Sequence, residues 1–402
     1  LQAASVFVME LQCKVQNYDW GKIGNSSMVA QLISSADPNT EITEKPYAEF
    51  WMGTHPNGPA IITERNQLLS EYIINNLDAI GSNVSQQFGP AVPFLLKVLS
   101  IRKPLSIQAH PNKEHAKVLH QTSPDIYKDP NHKPELAIAL TPFEALCGFR
   151  PAAEIKFFLE SKSFGWHSKG HCELNGEDTL LLKDLFHSLM SCKKNFGLRL
   201  NRFLDRMEDE DEADRGSLLY PLVQRLNKEF PGDVGCWVPY FLNYIQLKPG
   251  EAIFLGPNLP HAYLSGDCIE CMACSDNVVR AGLTPKFIDV PTLVNMLDYT
   301  SYKAHEMLFN PQLEDENSCI WKPPVQDFAV IKIKLTNSEP YNTRLRRSPS
   351  IFIVISGTGT ATDTVPITLR PGVVIFLKAS RQLTLTASGD SLELYQAICN
   401  VE

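Results

Sequence analysis

L-K-P-G-E-A-I-F-L, residues 247–255, returns as L-R-P-G-V-V-I-F-L at residues 369–377. In each copy a Pro-Gly pair marks a turn, and the apolar residues after it have the length of a short buried strand. Two such copies far apart in one chain argue for two β-barrels of related design. Near the second copy, S-G-T-G-T at 356–360 reads as a tight turn ahead of more β-rich sequence. Residues 1 to about 149 are rich in strand and turn signals, with two helix candidates. One is S-E-Y-I-I-N-N-L, where Ser70 supplies the cap; the other is K-E-H-A-K-V-L-H at 113–120, started by Pro111 and Asn112. Between them L-L-K-V-L-S reads as a buried strand. From Pro151 to Gly232 the period changes. A-A-E-I-K-F-F-L, L-L-K-D-L-F-H-S-L-M and P-L-V-Q-R-L-N-K-E-F place Leu and Phe at helical spacing, so a helical block interrupts the first β unit. Its acidic tract E-D-E-D-E-A-D, 208–214, reads as a solvated loop between helices.

Bulk composition narrows the function. A chain of 402 residues is too long for one core, which predicts two or three domains. With 44% hydrophobic and 20% charged residues it has the make-up of a soluble globular protein, and 28 Pro against 22 Gly favours many short elements. The net charge of -8 argues against a nucleic-acid partner, although a few cations in one cleft could still hold a small anion. No apolar run approaches bilayer length, so no membrane association is expected. The start L-Q-A-A-S-V-F-V-M-E lacks the basic region of a secretion signal. Ten Cys in a chain this long do not make a disulfide framework. A cytoplasmic, reduced protein is the expectation.

A candidate metal constellation emerges from L-S-I-Q-A-H, residues 105–110. On a strand Ser106, Gln108 and His110 face one way while Leu105, Ile107 and Ala109 face the other. Three polar groups backed by so apolar a face call for partners, and a metal is one. For this segment alone a solvated strand face is the commoner explanation. Further on, N-H-K-P-E-L-A-I-A-L puts Glu135 at the head of a strand behind Pro134, and P-N-L-P-H sets His261 at a rim behind a rigid Pro. Two imidazoles, a carboxylate and an amide oxygen suit zinc, and iron, manganese or cobalt would also fit. Neutral Gln108 in place of a second carboxylate would leave the ion a stronger Lewis acid. The nearby C-I-E-C-M-A-C, with Cys268, Cys271 and Cys274, has thiolate-site spacing but no fourth ligand after it, and reads as core.

At these residues the sequence resembles the type I mannose-6-phosphate isomerase (phosphomannose isomerase) family. The segments that carry the resemblance are Q-N-Y-D-W-G at 16–21, P-Y-A-E-F-W-M-G-T-H-P at 46–56, P-L-S-I-Q-A-H-P at 104–111 and Y-K-D-P-N-H-K-P-E at 127–135. The longest is H-A-Y-L-S-G-D-C-I-E-C-M-A-C-S-D-N-V-V-R-A-G-L-T-P-K at 261–286. The resemblance implies a mainly β fold of double cupin-type (jelly-roll) barrels plus an α-helical insertion. The expected domains are a discontinuous catalytic barrel (1–149 and 234–314), a helical insertion (150–233) and a C-terminal cupin-like barrel (315–402). It implies one zinc per chain held by Gln108, His110, Glu135 and His261, with Arg280 essential for activity. The implied activity interconverts mannose 6-phosphate and fructose 6-phosphate in a cytoplasmic monomer, supplying mannose for GDP-mannose and glycosylation.

Aldose–ketose isomerisation passes through an enediol and needs an electrophile, a proton carrier and a phosphate anchor. Arg280 suits enediolate stabilisation or phosphate binding. For the base the sequence offers Lys133, His132, Glu270 and Asp276 and does not choose among them. Lys97, after an apolar run, is a phosphate partner or a tuned base. Trp20, Glu49, Ser106 and Tyr263 are expected on the substrate side of the pocket. A metal oxygenase and a non-catalytic sugar-phosphate barrel are the rival readings. The second unit is expected to carry no metal: its repeat is followed by K-A-S-R-Q-L-T, and no His occurs after His305.

Overall fold

The computed structural model describes residues 7–161, 179–191 and 196–401. The first six residues, and residues 162–178 and 192–195 of the helical block, lie outside the described residues, as does Glu402. The chain folds as two large antiparallel sheets with a helical block, the mainly β class expected. One sheet of ten strands contains Glu49–Met52, Phe94–Ile101, Ile107–Ala109, Glu135–Ala139, Ala252–Leu255, His261–Ala273 and Val279–Gly282. The other, of eleven strands, is built mostly from residues beyond 312, including Ser350–Thr362, Val374–Leu377 and Thr384–Ile398. It also takes in the N-terminal strand Val8–Gln12, which pairs Val8 with Leu377 and Glu10 with Ile375.

Alternation of side chains decides what each face does. All eight residues of Phe94–Ile101 are buried. Phe94, Leu96 and Val98 join a core with Ile351, Ile353, Val374 and Phe376 of the other sheet, so this apolar face glues the two units. Leu99 and Ile101 pack on the opposite side with Tyr263 and Leu259, and between them and the sheet centre the same face carries Lys97. In Ile107–Ala109, Ile107 and Ala109 share a core with Phe149, Phe186, Phe203, Trp237 and Tyr240. The helices Ala152–Glu160, Thr179–Ser191, Phe196–Glu208, Glu212–Ser217 and Tyr220–Glu229 thus back the strand whose other face presents Gln108. The acidic tract is more ordered than a plain loop: Asp211 accepts from the Asp214 amide at 2.8 Å and caps Glu212–Ser217.

The two copies of the repeat are structural equivalents. Gly250 (φ 91°) and Gly372 (φ 87°) each precede a strand, Ala252–Leu255 and Val374–Leu377. Their amides bond the carbonyls of Ala139 and Val354, at 2.8 and 2.9 Å. Other expectations are corrected. S-G-T-G-T is not a turn but lies inside Ser350–Thr362, where register shifts at Val354/Ser356 and Gly357/Gly359 bend a continuous strand. Glycine is required there because the Ser391 carbonyl passes 1.9 Å from where a Gly357 Cβ would sit. Ser70 does not cap its helix, which begins one residue earlier, at Leu69–Asn75. Fully buried Leu69 anchors that start by bonding the Ala60 carbonyl. The helix Lys113–Thr122 is capped by Asn112 as expected, through the His115 amide at 2.8 Å. A helix beyond the two candidates, Met28–Ala36, is capped by Ser27; its six apolar residues are interrupted by Gln31 and two serines, and Val29, Ala30 and Leu32 are buried. No described helix is long and apolar enough to cross a membrane.

The paired glycines give a test. Gly250→Ala meets no atom within 4 Å and carries only the left-handed backbone cost of about 1–2 kcal/mol. In Gly372→Ala the new Cβ would sit 1.9 Å from the Leu32 carbonyl, so it loses more than about 3 kcal/mol. Urea unfolding of the two variants measures the difference.

Candidate metal centre and active site

Strand register brings the site together. Gln108 lies directly across from His261 on one neighbouring strand and from Arg280 on the other, so the three share a face. A register shift beside Arg280 bends its strand at this point. Glu135 heads a strand paired between Ala252–Leu255 and His261–Ala273. His110 follows immediately after Ile107–Ala109 and is 1% exposed, as is His261; Glu135 is 2% exposed.

Each imidazole is oriented by a backbone carbonyl. His110 Nδ1 lies 2.6 Å from the Asn277 oxygen and His261 Nδ1 2.9 Å from the Leu259 oxygen. A carbonyl can only accept, so both rings carry their proton on Nδ1 and turn a bare Nε2 inward. The P-N-L-P turn clamps both histidines, since the Asn258 amide also bonds the His110 carbonyl at 2.7 Å. Asn258 adopts φ 65° to do so.

The two Nε2 atoms lie 3.4 and 3.3 Å from the two Glu135 carboxylate oxygens. His110 Nε2, His261 Nε2 and Glu135 Oε2 are buried with no hydrogen-bond partner. Burial pushes His110 down to about 4, so it brings no second proton to the contact at neutral pH. Burial raises the Glu135 carboxyl, but attraction to His110 in its charged form and to the Lys133 ammonium, 3.5 Å away, outweighs it and holds the group well below the usual carboxylate range. Bare acceptors packed this closely fit a shared cation. Two donors about 2.05 Å from a tetrahedral zinc lie about 3.3 Å apart, which these spacings match. Among the described residues this is the one such group of His, Cys and carboxylates.

The other predicted residues surround it. Ser106 Oγ reaches Gln108 Oε1 at 3.4 Å on the half-buried side of the strand. Arg280 is half-buried and makes no ion pair among the described residues; burial alone lowers its pKa, without discharging it. Lys97 lies opposite Glu270, with Nζ 2.8 Å from Glu270 and 3.5 Å from Glu49, over the Trp51 ring. Burial works against its charge, but the two carboxylates outweigh burial and raise it. Glu270 is itself raised, by burial first and by Glu135 and Glu49, against the pull of Lys97. The buried Tyr263 ring sits 6.3 Å from that of His261. Trp20 packs against the cluster containing Tyr263 and stacks on Tyr18. His132 is turned to Asp327, at 3.0 Å, and braces the metal strand to the C-terminal unit. Cys268 and Cys271 are fully buried, and Cys274, half-buried, leans on the Val92 carbonyl.

Sequence reading missed His55. It is buried, accepts the Asn57 amide on Nδ1 at 3.2 Å and turns Nε2 to Asp276 at 3.4 Å. The hydrogen bond from His55 is the main cause that holds Asp276 below its ordinary value. His55 stood inside P-Y-A-E-F-W-M-G-T-H-P, but a partner 221 residues along the chain leaves no trace in local spacing.

Comparison with known proteins gives a consistent result. Residues 8–152 match the phosphomannose isomerase type I catalytic domain, and residues 163–242 the type I helical insertion domain. The chain is 45% identical to the mannose-6-phosphate isomerase of Homo sapiens, across 98% of each chain. To that of Schizosaccharomyces pombe it is 39% identical, across 97% of this chain and 99% of the relative. It superposes with TM-score 0.86 and 32% identity on the Salmonella typhimurium mannose 6-phosphate isomerase solved with fructose 6-phosphate and zinc, covering 98% of this chain and all of that one.

His261→Ala removes one donor and leaves the helical block's core untouched. Zinc affinity and turnover should fall together, by more than the roughly 10–100-fold typical of losing an outer partner. Metal analysis beside circular dichroism checks this; full zinc with normal turnover would remove His261 from the site.

Proposed function

The chain belongs to the type I phosphomannose isomerase family, and we propose how its cleft performs the zinc-dependent interconversion of mannose 6-phosphate and fructose 6-phosphate. The observation that carries the proposal is the convergence of bare donors from His110, Glu135 and His261 near Arg280, a cation without an anionic partner among the described residues. Gln108, between His261 and Arg280, completes the donor set with its amide oxygen. When bound, zinc polarises the sugar's carbonyl and hydroxyl oxygens. Arg280 takes up the negative charge that develops on those oxygens as the enediol forms, in a half-buried setting that strengthens the interaction.

Moving the proton between neighbouring carbons requires a group that accepts it and returns it. Glu270 suits that task best: it is buried, lies two strand positions from Met272, which pairs with Glu135, and is driven towards its protonated form. Lys97 and Glu49 hold it in place. Asp276, fixed by His55, stays ionised and supplies a standing negative charge at the rim. Lys133 keeps Glu135 ionised and adds a second cation towards an anionic substrate. Ser106, Trp20, Glu49 and Tyr263 line the substrate side.

The reading extends to the rest of the chain. Residues 1–149 with 234–314 make up the metal-bearing unit, apart from Val8–Gln12, which pairs into the C-terminal sheet; 150–233 are the helical insertion and 315–402 a metal-free brace. The described cysteines are all free thiols, which suits a cytoplasmic monomer that supplies mannose units for GDP-mannose and glycosylation.

A coupled assay for fructose 6-phosphate tests the activity: a chelator should abolish turnover and zinc should restore it. Arg280→Ala should then lower kcat by roughly 100–1,000-fold while zinc content stays at the wild-type level. A rise in KM alone would reassign Arg280 to ground-state phosphate binding.

A further inference from the structure

Asp129 lies in Y-K-D-P-N-H-K-P-E, six residues before Glu135. Its carboxylate is the hub of a loop-to-loop network. Oδ1 accepts from the Asn131 amide at 2.9 Å, from Ser275 Oγ at 2.8 Å and from Asn277 Nδ2 at 3.4 Å. Oδ2 accepts from the Asp276 amide at 2.8 Å. The Asp129 carbonyl accepts from Asn277 Nδ2 at 2.6 Å, and the Asn131 carbonyl takes Ser275 Oγ at 3.2 Å and Asn277 Nδ2 at 3.0 Å. Asn131 Nδ2 returns a bond to the Cys274 carbonyl at 3.0 Å.

Apart from the Asn131 amide's bond to Asp129, every bond in this network reaches residues 274–277, and that turn ends in the carbonyl that orients His110. The Asn277 oxygen lies 2.6 Å from His110 Nδ1. Asn277 and Ser275 are 1% and 3% exposed, so water cannot take over the bonds if Asp129 is lost. We propose that Asp129 is a positioning residue for the metal centre: by holding the 274–277 turn it fixes the Asn277 carbonyl, and with it the tautomer and aim of His110.

The chemistry of the contacts favours a carboxylate. Each oxygen meets donors only, namely two backbone amides, a hydroxyl and a side-chain amide, and an ionised carboxylate is an acceptor on both atoms. An amide in its place would point an NH2 group at a donor. The same turn carries Asp276, so one anchor sets both the His110 carbonyl and the Asp276–His55 pair.

The inference rests on the zinc reading above, and the test separates the two. Zinc dissociation constants of apo-protein are measured by competition with a chromogenic chelator for wild type, Asp129→Asn, Asp129→Ala and Asp37→Asn. Asp37 is the control because it organises a turn in the same way, through Asn39 and Thr40, on the exposed surface away from the site. Both Asp129 variants should weaken zinc binding by roughly 10–100-fold and change the visible spectrum of the cobalt-substituted protein, while Asp37→Asn matches wild type. Should Asp129→Ala not fold, Asp129→Asn and Ser275→Ala decide, the latter with a smaller loss. Asp129 variants that hold zinc as wild type does would overturn the inference. A wild-type protein with no zinc affinity would instead overturn the zinc reading.

Discussion

Donor atoms of His110, Glu135 and His261 are buried within 4.8 Å of one another without hydrogen-bond partners, and the architecture around the cleft exists to keep them so. The Nε2 atoms of His110 and His261 face the Glu135 oxygens at 3.4 and 3.3 Å. Left alone, such a contact is repulsive and its buried atoms are desolvated without compensation. A divalent cation turns the repulsion into ligation, so the arrangement is coherent only as a metal site. Its rigidity comes from behind: carbonyls of two loops hold the imidazoles, and Pro134 and Pro260 stiffen the approaches to Glu135 and His261.

The second constraint is charge in an apolar setting. Lys97 sits in a strand buried along its whole length, on the face opposite the one that joins the two sheets. One ammonium between Glu270 and Glu49, over an indole face, is stable there because the carboxylates offset its lost hydration. One cation does not neutralise the carboxylates around it. The imbalance falls on Glu270, the group driven to bind a proton. Burial first, and then the charges of Glu135 and Glu49, raise the residue proposed as the proton carrier.

The two β units show how one design is put to different uses. The same Pro-Gly turn leads in the first to P-N-L-P-H and a metal ligand, and in the second to K-A-S-R-Q-L-T. The second sheet contributes packing: it recruits Val8–Gln12, fills the shared core with Ile351, Val374 and Phe376, and reaches the metal strand through Asp327 and His132.

Much of this was legible in the chain itself, for local reasons. A period of two in L-S-I-Q-A-H put Ile107 and Ala109 on one face and Gln108 on the other, because strand geometry leaves no alternative. Helical spacing located the block after Pro151, and Pro-Gly pairs located both repeat turns, since each is a short-range steric rule. Local rules failed where a remote segment decides. S-G-T-G-T became a bent strand because Ser391 passes alongside it, and Leu69 rather than Ser70 set a helix start because the core needed it. Residue types could nominate His110, Glu135, His261 and four possible bases. Only the folded chain could show which lone pairs meet, that His132 is committed to Asp327, and that His55 and Asp129 brace the cleft. Those contacts join segments up to 221 residues apart, and the register that creates them is set by packing across both sheets, not by any pattern within a single segment.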